Sequence, residues 1–223
     1  MLLSLGAAAA AVARFGHQAA ARRGLAGAVR TSMAAAPEGA RVHLVGTIAA
    51  GAQLPAPISG RACVYYAVAI EEEIGTAWAV VYTDQQAVPF AVSDGTGRAL
   101  IDAAGAELEI EAGRQVGTLE GAALAGLTAT VALRLHGGGL RGPRLRYREV
   151  ALAVGATIAV IGTAVREPDP EAIASVTGYR DGPPTRLRLG RSADHALWLS
   201  DARDATRAPR GDDAAAGAHG PGA

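Results

Sequence analysis

The sequence predicts a mainly β protein, with a small β-barrel domain between an alanine-rich N-terminal helix and a disordered C-terminal tail. Three observations point there. Short runs rich in Val, Ile, Leu and Tyr recur between residues 42 and 200, separated by Gly, Pro and Asp turn signals. Glycines fall inside several of these runs, as strongly coiled strands require. Residues 1–36 and 201–223 are dominated by Ala, Arg, Gly and Asp and show no strand alternation.

Residues 1–36 open with an apolar stretch that ends at Arg14, followed by an alanine-rich segment carrying Arg22, Arg23 and Arg30. Helix propensity is high there. The apolar part falls short of the ~20 residues a spanning helix needs. The segment reads as a leader helix or a weak membrane-surface anchor, with a cleaved signal as a further alternative. Pro37 and Gly39 close it and mark the domain boundary.

Val42 to Ile48 is the first expected strand, with Gly46 marking a bend or a close backbone approach. Pro55, Pro57 and Ser59-Gly60 make a loop and turn. Ala62 to Ile70 is nearly all apolar, the pattern of a strand buried on both faces. The acidic cluster Glu71, Glu72 and Glu73 follows it, and Trp78 to Thr83 suits a hairpin partner. Phe90 to Ser93 and Arg98 to Asp102 flank Asp94-Gly95-Thr96-Gly97, and an Asp-Gly step between apolar runs is a strong hairpin signal. Glu107 to Glu111 alternates, with Leu108 and Ile110 facing inward. Residues 113–144 read as an insertion holding one apolar helix or strand. Leu145 to Leu152 and Thr157 to Val165 are strands around Gly155, the second interrupted by Gly162. Leu187 to Leu189 and Ala196 to Leu199 look like a last hairpin. A strand, a tight Asp-Gly turn, a returning strand and a later glycine-bent strand resemble small OB-like barrels.

Composition removes several chemistries. The 223 residues contain a single cysteine, Cys63, so this sequence closes neither an intrachain disulfide nor a cysteine-based zinc site. The five histidines lie far apart, with no metal-ligand spacing, so neither a metal nor another cofactor is expected. All 21 basic residues are arginine, which excludes Schiff-base and P-loop lysines. They balance 21 acidic residues, so no overall basic field favours nucleic acid.

One set of residues fits a family pattern. Pro57, Ser59, Gly60, Cys63, Tyr65 and Tyr66 form one block, followed by Trp78, then by Phe90, Asp94 and Gly97, and later by Glu149, Gly155 and Gly162. Over residues 42–200 this resembles the GIDE domain, also called the "beside a membrane" domain, of Mulan-type mitochondrial ubiquitin ligases and their bacterial relatives. The resemblance implies a membrane-associated domain that neighbours a RING, together with a family label of ubiquitin transferase. A RING needs several Cys and His ligands for zinc, and this sequence departs from that plan.

The expectation is therefore a non-catalytic binding or scaffold domain. It would be membrane-associated, or cytoplasmic if the leader does not anchor it, and would recognise a protein or lipid at a membrane surface. The motif residues are read as structural, with Cys63 packed and inert and Asp94 capping its own turn. Arg141, Arg144, Arg146 and Arg148 form a candidate surface patch, either a solvated strand face or a site for an anionic ligand or membrane. The alternative function is OB-like binding of single-stranded nucleic acid, which needs a basic groove with exposed aromatics.

Overall fold

A computed structural model describes residues 28–111, 114–120, 144–169 and 185–207. Its strands are β1 (Val29–Arg30), β2 (Arg41–Ile48), β3 (Leu54–Pro55), β4 (Ala62–Cys63), β5 (Tyr65–Ile74), β6 (Ala77–Ala87) and β7 (Phe90–Ser93), continuing with β8 (Arg98–Ile101), β9 (Glu107–Glu109), β10 (Arg114–Thr118), β11 (Leu145–Leu152), β12 (Thr157–Pro168), β13 (Thr185–Gly190) and β14 (Trp198–Ser200). A single helical turn, α1 (Arg203–Thr206), follows.

Five strands close on themselves in the order β2-β7-β8-β13-β12 and back to β2. All pairs are antiparallel except β8 with β13, which run parallel. Closure is tight at Gly46: a Cβ there would lie 2.5 Å from the Ser93 carbonyl oxygen of β7. The glycine inside the first predicted strand thus lets two barrel strands approach, as the sequence reading allowed. Gly162 on β12 plays a similar part, since its Cβ would meet Leu197 at 2.8 Å.

The second sheet, β10-β11-β5-β6, grows from the two long connections of the barrel. The hairpin β5–β6 leaves between β2 and β7, and β10–β11 leaves between β8 and β12. Tyr65, Ala67, Val150 and Leu152 turn one face of this sheet into the barrel core, beside Leu44, Val92, Ile101 and Leu189. Tyr66, Val68, Ile70 and Ala151 on the opposite face join a second apolar cluster with Ala56, Cys63 and Leu119. That two-sided burial explains why residues 62–70 carry almost no polar side chain.

Several expectations need correction. The apolar run is broken at Val64, whose N–H donates to the Leu152 carbonyl at 2.8 Å and whose carbonyl accepts Val88 N–H at 2.9 Å. β5 continues through Glu71, Glu72 and Glu73 rather than ending before them, because two of these carboxylates meet arginines of β11 and bordering residue 144. β13 and β14 do not form a hairpin. Both pair with the same edge of β12, end to end, with Gly190 opposite Thr163 and Trp198 opposite Ile161.

Residues 28–36, assigned to the leader helix, include strand β1 and the buried Met33. Residues 203–206, assigned to the tail, form α1, and Ala202 and Ala205 cover Ile161 and Trp198. Alanine hid this contact, since it carries no apolar periodicity that composition could reveal. Residues 1–27 and 208–223 lie outside the described residues, as do positions 121–143 of the insertion. Its residues 114–118 form β10.

Candidate functional site

The block Pro57 to Tyr66 and the distant Glu149 form one unit. Glu149 is centred on β11, and its side chain is fully buried beneath the loop between β3 and β4. Its carboxylate accepts the Ile58 N–H at 2.7 Å and the Ser59 N–H at 3.2 Å. Pro57 is buried at the loop's start, and Gly60 closes the turn at φ +67° with its N–H on the Ala56 carbonyl. The Ser59 hydroxyl accepts Arg61 N–H at 3.4 Å, and Arg61 reaches back to the Ala151 carbonyl at 3.3 Å. A buried carboxylate is costly unless its oxygens are hydrogen-bonded, and these amides meet that demand.

Cys63 sits in the same cluster with its thiol donating to the Leu54 carbonyl at 3.3 Å. Burial, with the Glu149 charge adding to it, pushes the thiol up to about 11. It is therefore protonated near neutral pH, and a thiol in that state is a poor nucleophile. Tyr66 donates its hydroxyl to Asp84 at 2.8 Å. Burial first, and this bond to a carboxylate second, raise the phenol above its ordinary value.

A second unit centres on Asp94. One carboxylate oxygen accepts Thr96 N–H, the Thr96 hydroxyl and Gly97 N–H at 2.7–3.1 Å, closing the Asp-Gly-Thr-Gly turn. The other accepts Met33 N–H at 2.8 Å. Burial alone would raise this carboxyl, but the donors outweigh it and hold the group below the usual carboxylate range. The cap of the turn was legible in sequence, but the tie to Met33 was not. Gly97 lies against Met33, where a Cβ would come within 3.3 Å of the methionine Cβ. Arg166 donates to the carbonyls of Ala34 and Ala36 at 3.4 Å, so residues 33–36 are held from two sides.

The third unit is a charged sheet face. Register sets Arg146 opposite Glu71 and Arg148 opposite Ala69. Glu71 is 4% exposed and accepts from Arg146, with Arg148 at 3.3 Å from the same carboxylate. Arg144 pairs with Glu73 at 2.5 Å. The Arg146 guanidinium lies 4.3 Å from the centre of the Trp78 ring, within cation–π range. The arginines of the candidate patch are thus engaged with the acidic cluster of β5, and Arg141 lies outside the described residues.

The remaining motif residues support the architecture. Tyr65 and Phe90 fill the barrel core, and Gly155 occupies a turn at φ +85° whose N–H donates to the Ile48 carbonyl. Sequence reasoning missed His43, whose Nε2 lies 3.0 Å from the Ala205 carbonyl. Burial first, and the positive Arg30 opposite it second, lower its pKa. Cys63, Asp94 and His43 thus sit in three separate bonding networks. Among the described residues no group of three His, Cys, Asp or Glu side chains is placed to hold a metal ion.

Comparison with known proteins gives one match. The family model GIDE, described as E3 ubiquitin ligase, matches residues 67–175. No curated protein and no solved structure matches. The matched span runs from β5 through β12, taking in Trp78, Asp94 and Glu149, and leaves barrel strands β2 and β13 outside. The resemblance to the GIDE family is thereby shown over residues 67–175, which take in the later motif residues and leave the block from Pro57 to Tyr66 outside.

Proposed function

We propose that this protein is a non-catalytic docking module that works at a membrane surface. The observation that carries the reading is the employment of the motif's carboxylates. Glu149 and Asp94 spend their oxygens on backbone N–H groups that hold a loop and the N-terminal segment in place. Groups so engaged serve architecture. The family description ties the domain to ubiquitin ligases. On this reading it serves a ligase by docking, and ubiquitin transfer is not assigned to its residues.

Attachment to the membrane is assigned to residues 1–27. Residues 28–36 are tied into the barrel through β1, Met33 and Arg166. Among the described residues no helix is long and apolar enough to cross a membrane. The test is fractionation of the tagged full chain and of a chain lacking residues 1–27. Membrane association of the first and its loss in the second is expected. Full-length protein found only in the soluble fraction overturns the reading.

A second reading, an OB-like binder of single-stranded nucleic acid, is favoured by the five-stranded closed barrel with its one parallel pair. Such sites present aromatics to the bases. Tyr65 and Phe90 are in the core here, which favours docking. A salt-sensitive mobility shift with oligonucleotides would reverse that order.

A further inference from the structure

The charged face of the second sheet has an asymmetry in its pairing. Glu73 serves one arginine, Arg144, whereas Glu71 alone serves two, Arg146 and Arg148. One carboxylate between two guanidiniums leaves a positive charge uncompensated. Register puts Arg114 and Val116 of β10 on the same face, with Val116 directly opposite Arg148. Val116 is 59% exposed, among the most exposed large apolar residues described. Counting Glu120, which also acts on Arg144, the described residues of this face hold four arginines against three glutamates.

We propose that this face docks an acidic segment of a partner protein, with a partner carboxylate beside Arg148 and an apolar side chain on Val116. The second carboxylate would give each guanidinium its own counterion. The Arg146 guanidinium carbon already lies over the Trp78 ring, and tryptophan and arginine, with tyrosine, are enriched among the residues that dominate protein interfaces. The sign pattern selects a protein over a bilayer. A uniformly anionic lipid surface meets Glu73 and Glu120 as well as the arginines, while a folded or extended polypeptide can place its charges to match. The inference rests on the docking reading and names its partner chemistry.

The test uses the full chain and a fluorescein-labelled glutamate homopeptide, followed by anisotropy, with a glutamine homopeptide and phosphatidylserine vesicles as parallel probes. Saturable binding of the glutamate peptide is expected, weakened by salt, with no binding of the glutamine peptide. Arg148→Gln should weaken it about tenfold, in the range of a lost charge contact. Arg144→Gln changes a side chain that is 60% exposed, and should weaken it a few-fold through the same surface. Wild-type affinity in both variants, or no peptide binding, overturns the inference, as does binding to vesicles alone. The Arg148→Gln chain still fractionates with membranes if the broader docking reading holds, so the two can fail separately.

Discussion

The Glu149 carboxylate accepts the Ile58 N–H at 2.7 Å although the two residues stand 91 positions apart in the chain. That bond fastens the loop between β3 and β4 to the middle of β11, and so joins the two barrel connections that build the second sheet. Ser59, Cys63 and Tyr66 of the motif's first block gather around the same small cluster, while Tyr65 turns into the barrel core. Glu149 and the loop it holds thus secure one sheet to its cover.

Barrel closure should be sensitive at Gly46. Gly46→Ala drives a methyl against the Ser93 carbonyl, and backbone cannot move aside as a flexible side chain can. A loss of about 2–3 kcal/mol is expected, in the range of overpacking. Urea denaturation checks it. A loss no greater than that of a surface Gly→Ala change would contradict the close approach.

Asp94 should contribute an acid-sensitive part of the stability. Its folded pKa is depressed, so the contribution is present above the unfolded value of ~3.9 and is lost as pH falls through the folded value. Asp94→Asn should cost about 1–3 kcal/mol near neutral pH, typical of hydrogen bonds to a charged acceptor. The gap between wild type and variant should close in acid. Melting temperatures measured down the pH scale report both.

His43 acts in a higher pH window. Its folded pKa is also depressed, here because burial and Arg30 disfavour the cation. Its contribution is complete above the unfolded value of ~6.5. It is lost as pH falls past that value and through the folded one. His43→Gln keeps a donor for the Ala205 carbonyl and removes the titration, so its melting temperature should vary less over mildly acidic pH than that of wild type.

The Cys63 thiol should resist modification. With the thiol pushed up to about 11 and the side chain buried, reaction with an aromatic disulfide reagent at neutral pH should be slow in the native protein. Reaction should become fast in denaturant. Rapid native labelling would contradict the packing around Leu54 and Tyr66.

The strands were largely readable because their cues are local. Asp94-Gly95 announced its hairpin, and the apolar run announced a strand buried on both faces, which the structure packs on the barrel with one face and on a loop with the other. Long-range partners were hidden. Nothing near Glu149 in sequence points to Ile58, and nothing near Asp94 points to Met33, since backbone N–H groups are the donors in both and carry no sequence signature. The arginine patch was visible as charge, but its pairing required the register of β11 on β5. The α1 contact was missed because its buried residues are alanines.

The most direct test of the architectural claim is native-state hydrogen exchange at the amides of Ile58 and Ser59, in wild type and in Glu149→Gln. Slow exchange at both positions in wild type is expected, with marked acceleration in the variant while the barrel strands keep their protection. Fast exchange of these two amides in the wild-type protein would contradict the role assigned to Glu149.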